Sequence, residues 1–179
     1  MSVDEELRIV EDPASGAVIA IPGWWESAIR LTPAVVISGQ EPLAAEQQLG
    51  RMNFQVTVEA PPADFSGLHN YTREQIRGFA EFNGGARVLG LRTIHGSSKG
   101  GEWEGRVVTT SYRVQTQFAE DTELIAIQTW TLLGPIATAV TLTGRLLHFD
   151  GLLALHEAAL PYFVPASQLG AVSPESRGY

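Results

Sequence analysis

Four histidines, His69, His95, His148 and His156, are the first residues to test for chemistry. Only His148 and His156 stand close together, and with Glu157 they could supply part of a metal site. No His-x-x-x-His pair places two imidazoles on one helix face. Solvated or internally bonded histidines are therefore the expectation, and no metal is assigned. Acyl transfer needs an activated hydroxyl on a strained turn beside a base. The chain has no Gly-x-Ser-x-Gly, and nothing marks Ser15, Ser66 or Ser97 in their loop-like segments. It has no cysteine, which excludes thiol catalysis, thiolate metal sites and disulfides. The glycine pairs 84–85 and 100–101 lack the spacing of a phosphate cradle. Glu102 and Glu104 share one face of a strand and could pair, but a solvated strand edge is the simpler reading. No catalytic residue and no cofactor follow, and the chain is read as a protein that is not an enzyme.

The residues with binding potential are Arg113, Gln128, Trp130, Trp24 and Trp25. Arg113 and Gln128 sit among apolar residues on predicted neighbouring strands, where a polar group needs a partner. They either form a hydrogen-bonded pair in the core or line a ligand groove. Trp24 and Trp25 are adjacent, so on extended chain they point to opposite sides. One is expected in the core, the other over a loop or an interface. Trp130 stands on the middle strand of three, among small or polar cross-strand neighbours. A large ring there leaves a concavity that a partner could fill, with Trp24 or Trp25 at its rim. The competing reading is that a helix packs directly on Trp130.

The strands that position these residues are Glu102–Val114, Glu123–Leu133 and Ile136–Leu146. Each is rich in β-branched and aromatic residues. The short connections, Gln115–Thr122 and Gly134-Pro135, make them an antiparallel meander. Both faces of these strands carry apolar groups, so helices or long loops must cover the sheet on both sides. Upstream, Leu7–Val10 and Ala17–Ile21 flank the turn Asp12–Gly16 and read as a hairpin. Ala34–Ser38 and Asn53–Glu59 are further strands, with a mixed Gly39–Met52 loop that could hold a helical turn over Leu43–Gln48. Tyr71–Phe82 is predicted helical, opened by a Thr72/Gln75 capping box with Tyr71 and Ile76 as a hydrophobic staple, and stopped by Asn83-Gly84-Gly85. Ala86–Ile94 is a strand and Gly96–Gly101 a flexible turn. Asp150 is expected to cap a last helix over Gly151–Leu160, and Pro161 to end it.

The chain has 179 residues, enough for one domain with a real core, and 44% are hydrophobic. The division expected is one domain over residues 1–164 and a flexible tail over 165–179. Net charge is −8 and the pI about 4.9, so phosphate backbones and anionic membrane surfaces are poor partners. Eleven of the twelve basic residues are Arg. No apolar run reaches bilayer length, and the acidic start is not a secretory signal. A cytoplasmic location is expected.

Taken in order, these elements resemble the PsbP/DcrB/LpqN superfamily. The residues that carry the likeness are Ile21-Pro22-Gly23-Trp24, Val35-Val36-Ile37, the alternating Asn53–Glu59 strand and the Tyr71-Thr72-Arg73-Glu74-Gln75 helix start. They are followed by four strands and a closing helix, so the resemblance spans roughly residues 7–164. It implies an α+β chain folded as a three-layer α/β/α sandwich around a mainly antiparallel sheet of six to eight strands. It also implies a non-enzymatic adaptor role. Members of that superfamily include photosystem subunits, a Ran-binding nuclear-import factor, mycobacterial lipoproteins and type VI secretion chaperones that shield apolar effector segments. The expected function is a protein-binding module, a chaperone or adaptor whose partner is another protein or a second copy. The alternative is a small-molecule or lipid carrier with a pocket between sheet and helix, holding Arg113 or Gln128 with Trp130.

Overall fold

The structure, a computed structural model, describes residues 7–42, 51–62, 65–98, 101–116 and 119–170. Nine strands and two helices follow in the order β1 (Leu7–Asp12), β2 (Ala17–Pro22), β3 (Glu26–Ile29), β4 (Val35–Gln40), β5 (Asn53–Glu59), α1 (Gly67–Phe82), β6 (Arg87–Ser98), β7 (Gly101–Thr116), β8 (Ala119–Leu133), β9 (Ile136–Arg145) and α2 (Phe149–Ala159). Seven strands form one sheet in the order β3-β4-β5-β9-β8-β7-β6, and β1 and β2 form a separate hairpin. Every neighbouring pair is antiparallel. The meander expected from the sequence is β7-β8-β9, at the centre of the chain's longest ladders.

Both faces of the sheet are covered at the centre, because both carry apolar side chains. Val107, Ile125, Ile127, Val140 and Leu142 face one way and pack with the β1–β2 hairpin and with Leu152, Ala159 and Phe163 in and after α2. Val108, Trp130, Ala137 and Ala139 face the other way, under Tyr71, Leu68 and Ile76 of α1. The result is an α+β sandwich with α1 as one outer layer and α2 plus a hairpin as the other.

Glycine sites shape two cross-strand pairs. Gly39 lies opposite Phe54 and Gly96 opposite Trp103 in the ladder registers. A Cβ at either glycine would collide with the facing ring. The aromatic ring thus lies over the bare backbone, which keeps both glycines in strands. Gly39 and Gln40 therefore belong to β4, and Gly96–Ser98 to β6, where loop and turn were expected.

Other boundaries move for similar reasons. The Gln115–Thr122 loop is largely strand, since the pairs Arg113↔Glu123 and Val114↔Thr122 continue the β7–β8 ladder. Strand β3, fully exposed and only four residues long, carries no period that a sequence reading could detect. The helical turn expected over Leu43–Gln48 lies outside the described residues. Helix α1 begins at Gly67, with Ser66 in the cap position and no side-chain cap bond. Thr72 is therefore not a cap. Leu68 extends the buried stripe of α1 by one turn, and its packing on the Trp130 cluster carries the helix past Thr72. The predicted stop holds: Gly84 (φ 66°) and Gly85 (φ 107°) are left-handed, and Gly85 N–H bonds Ala80 O at 2.7 Å. Asp150 is not a cap either. It sits in the first turn of α2, which follows a 3-10 turn over Leu146–His148.

Residues 165–170 of the expected tail are anchored. Val164 and Val18 exchange two backbone bonds of 3.0 Å, and Ala166 N–H donates to Thr138 Oγ1 at 2.9 Å. Gln168 Nε2 reaches Ala14 O at 2.8 Å. Residues 171–179 lie outside the described residues.

Two substitutions test this architecture. Gly96→Ala places a methyl group against the Trp103 ring and should lower stability by about 1–3 kcal/mol in urea unfolding; a gain would show that the ring does not lie there. Thr72→Val replaces a buried hydroxyl that has no partner among the described residues. It should leave the urea midpoint unchanged or raised, whereas loss of a helix cap would cost about 1 kcal/mol.

Candidate functional site

The structure separates the five residues singled out for binding. Trp25 is core, 2% exposed, with its ring stacked on Phe54 at 6.1 Å and 23°. Trp24 meets it edge-on at 6.3 Å and is 40% exposed. One ring is buried and one exposed, as expected, but the division comes from a turn, closed by Trp25 N–H on Pro22 O at 3.1 Å, and not from alternation along extended chain. Trp130 is also core, 2% exposed. Ala137 and Ala139 do leave a hollow around its ring, but α1 fills that hollow with Tyr71, Leu68 and Ile76. The open face expected around Trp130 is thus covered, and the helix-on-Trp130 alternative is the arrangement observed.

Gln128 and Arg113 do not pair. The ladder registers put Gln128 on the α1 face beside Val108 and Arg113 on the opposite face beside Glu123. Gln128 is buried, and its Nε2 approaches Thr141 Oγ1 at 3.5 Å. Arg113 is exposed, in a surface cleft with Asn83, Gly84, Gly85, Arg87, Ser111, Tyr112 and Glu123.

Among the described residues, Thr129, His156 and Glu157 form a constellation with nucleophile-and-base geometry that was not visible in the sequence. Thr129 Oγ1 lies 2.8 Å from His156 Nε2, and His156 Nδ1 lies 3.8 Å from Glu157 Oε1. A hydroxyl, an imidazole and a carboxylate in line resemble a catalytic triad. Three facts count against that chemistry. The Nδ1–carboxylate separation is too long for a hydrogen bond. Glu157 is ion-paired with Arg92. The space these groups face is an apolar cavity of about 30 Å³, lined by Trp25, Phe54, Val140, Leu142 and Phe163 among others; that is room for a water or two. Thr129 is 1% exposed and His156 4%. The pair instead ties α2 to β8. Burial pushes the His156 imidazole down to about 4, with Glu157 opposing the shift and Arg92 adding to it. Among the described residues no group of three or more His, Asp or Glu side chains is placed to hold a metal.

A second buried polar knot fastens the hairpin. Arg30 grips Asp12 with two bonds, Nε to Oδ1 at 3.1 Å and Nη2 to Oδ2 at 2.7 Å. Ser15 adds its hydroxyl and backbone N–H to the same carboxylate. Burial raises the Asp12 carboxyl, but these donors outweigh it and hold it below the ordinary value.

Large exposed apolar side chains occur on the hairpin (Ile9), around α2 (Leu147, Leu153, Tyr162), at Leu169, and in groups at both sheet margins. On edge strand β6, Val88, Leu89 and Leu91 are 47–58% exposed, and Phe82 at the end of α1 is 90% exposed. At the other edge, Ile29 and Leu31 are exposed with Trp24. The two edges differ in length: β3 has four residues, β6 twelve. A long exposed strand with one row of unused backbone donors and acceptors is a pairing template. No sequence signal marked it, since Val88-Leu89-Gly90-Leu91 reads like any core strand.

Two predictions follow from the buried groups. Trp130→Ala should cost about 3–5 kcal/mol, measured by denaturant unfolding. His156 has a folded pKa below its unfolded value, so the unfolded chain takes up the proton first. Stability should be full above about pH 6.5 and fall by up to about 3 kcal/mol as pH drops toward 4. In His156→Asn that slope should be absent from thermal melts across the same range.

No protein-family model matches the sequence, and no curated protein is significantly similar to it. Solved structures are similar in fold. Cyanobacterial PsbP (CyanoP) from Synechocystis shares 16% identity over 90% of this chain and 93% of that one, with a TM-score of 0.59. A Pseudomonas aeruginosa protein of unknown function shares 14% over 91% and 99%, with a TM-score of 0.57. The Saccharomyces cerevisiae Ran-binding protein Mog1p shares 12% over 94% and 100%, with a TM-score of 0.65. Identities this low establish fold alone: this chain shares the fold of these three structures.

Proposed function

We propose that this chain is a non-catalytic protein-binding module whose docking surface is the β6 margin of the sheet. The observation that carries this reading is the exposed apolar row Val88, Leu89 and Leu91 on a twelve-residue edge strand, beside the exposed Phe82. Apolar side chains grouped on one margin mark an interaction site in a way that scattered ones do not. The non-catalytic part rests on the Thr129–His156 pair, which is sealed from solvent and faces a cavity too small for a substrate. That cavity is too small for a lipid chain as well. Mog1p, which shares the fold, is a Ran-binding protein, so this architecture supports binding of a protein partner. A chaperone or adaptor role fits such a surface, because shielding an apolar segment needs only complementary exposed area.

The test combines stability with capture. Leu89→Lys/Leu91→Lys changes two exposed side chains and should shift stability by no more than about 0.5 kcal/mol per site. In-cell cross-linking from a photoreactive residue at Val88 should then lose the adduct formed by the parent. Identical adducts in parent and variant would rule out the β6 margin as the docking surface.

A further inference from the structure

We infer that the β6 edge takes an extended segment of a partner protein as an added antiparallel strand, and that Arg87 and Arg113 hold a carboxylate near that segment's C-terminal end. This rests on the protein-binding reading above and specifies its occupant.

The backbone comes first. From Leu91 to Ser98 the β6–β7 ladder runs without a register shift, eight residues of regular strand. The opposite edge of β6 pairs with nothing among the described residues. Edge strands are commonly guarded by bulges and charges. Here the register shift lies between Val88 and Gly90, at the start of the strand, so the regular stretch is left open. An incoming strand there would satisfy backbone groups that now face water, the general mechanism of strand addition. Every ladder in the sheet is antiparallel, and an antiparallel newcomer would run from Ser98 towards Arg87.

The charges then select the occupant. Arg87 and Arg113 line one cleft at the start of β6: Arg87 pairs with Ser111 in the ladder, and Arg113 lies two residues further along β7. Among the described residues neither guanidinium has an ion-pair or hydrogen-bond partner. Glu123 lines the cleft too, opposite Arg113 in register, yet it forms no ion pair with it. The neighbouring carboxylates are committed: Glu157 to Arg92 and Glu104 to Arg106. In a chain of net charge −8, two unpartnered arginines beside an apolar edge are a local exception. A carboxylate accepts paired N–H donors from guanidinium in a planar fork.

A second copy fits less well. Residues 87–98 contain Arg87, Arg92 and His95 but no carboxylate, so β6 against β6 would bring Arg87 no counter-charge. Residues 171–179 hold one side-chain carboxylate, Glu175, and leave the described chain at Gly170 beside Arg30, which follows edge strand β3, at the opposite margin from β6. An extended partner segment with alternating apolar side chains and an acidic end meets both requirements.

The test uses the full chain and a twelve-residue peptide, long enough to span Arg87–Ser98, alternating threonine and valine and ending in two glutamates. Amide hydrogen exchange followed by NMR should slow at least about tenfold across Leu91–Ser98 on saturation, because strand addition covers those groups. Arg87→Gln/Arg113→Gln should weaken binding about tenfold or more while leaving the melting temperature near the parent's. A peptide ending in two lysines should bind correspondingly worse. Equal binding of the two peptides would overturn the carboxylate assignment. Concentration-dependent dimerisation of the parent, abolished by Leu91→Lys, would make a second copy the occupant and overturn the proposal. If the Val88 cross-link to a partner persists but the peptide never protects β6, strand addition is wrong and the protein-binding reading stands. Loss of both would remove both.

Discussion

The structure depends on one constraint: the central strands β8 and β9 are apolar on both faces. Ile125, Ile127, Val140 and Leu142 point one way, and Trp130, Ala137 and Ala139 the other. Neither set can be left in water, because each fully buried large side chain contributes about 1.5–3 kcal/mol. The chain therefore builds a layer on each side. On the Trp130 side, α1 suffices. On the other side α2 is only eleven residues long, and the β1–β2 hairpin and the segment around Phe163 complete the cover.

Covering the hairpin side also requires fastening it, and the fastenings are polar. Asp12 accepts from Arg30 and Ser15 under complete burial, and Val164 to Gln168 stitch the chain's end to the hairpin and to Thr138. The Thr129–His156 bond belongs to the same class, holding α2 to β8. These groups look chemical in isolation. Their burial and their partners explain them as joints between layers.

The exposed β6 margin follows from the same geometry. Seven strands at about 4.8 Å spacing make a sheet roughly 29 Å wide, while one helix with its side chains spans about 10–12 Å. A single helix cannot cover that face, so α1 leaves a flank uncovered on either side. On the β5–β4–β3 flank that face carries mainly Gln55, Thr57, Ser38 and Gln40, side chains that water tolerates, with Val35 half-buried beside Thr57. On the β6 flank they include Val88 and Leu91. The asymmetry between the two flanks gives the β6 side its functional reading. The fold does not assign a function; the exposed β6 surface is what distinguishes this chain.

Local patterns were legible where side-chain type and backbone geometry agree. The β-branched runs of β7, β8 and β9, the alternation of β5, the Asp12–Gly16 turn and the Asn83-Gly84-Gly85 stop each announce themselves, and their order carries the likeness to the PsbP pattern. The sequence also implied cover on both sheet faces, at least in part, and a core place for one of Trp24 and Trp25; it did not show that the cover over Trp130 is complete. Three things were decided by tertiary contacts. Helix α1 starts at Gly67 because Leu68 gains burial on the Trp130 cluster, a reward invisible to a capping pattern. Gly39 and Gly96 remain in strands because Phe54 and Trp103 lie across them. Trp130 is core and β6 is margin because of which strands α1 lies over, and no run of residues encodes that choice locally. Burial is a property of the assembled layers, so the sequence identified the apolar residues and the packing determined which of them still meet water.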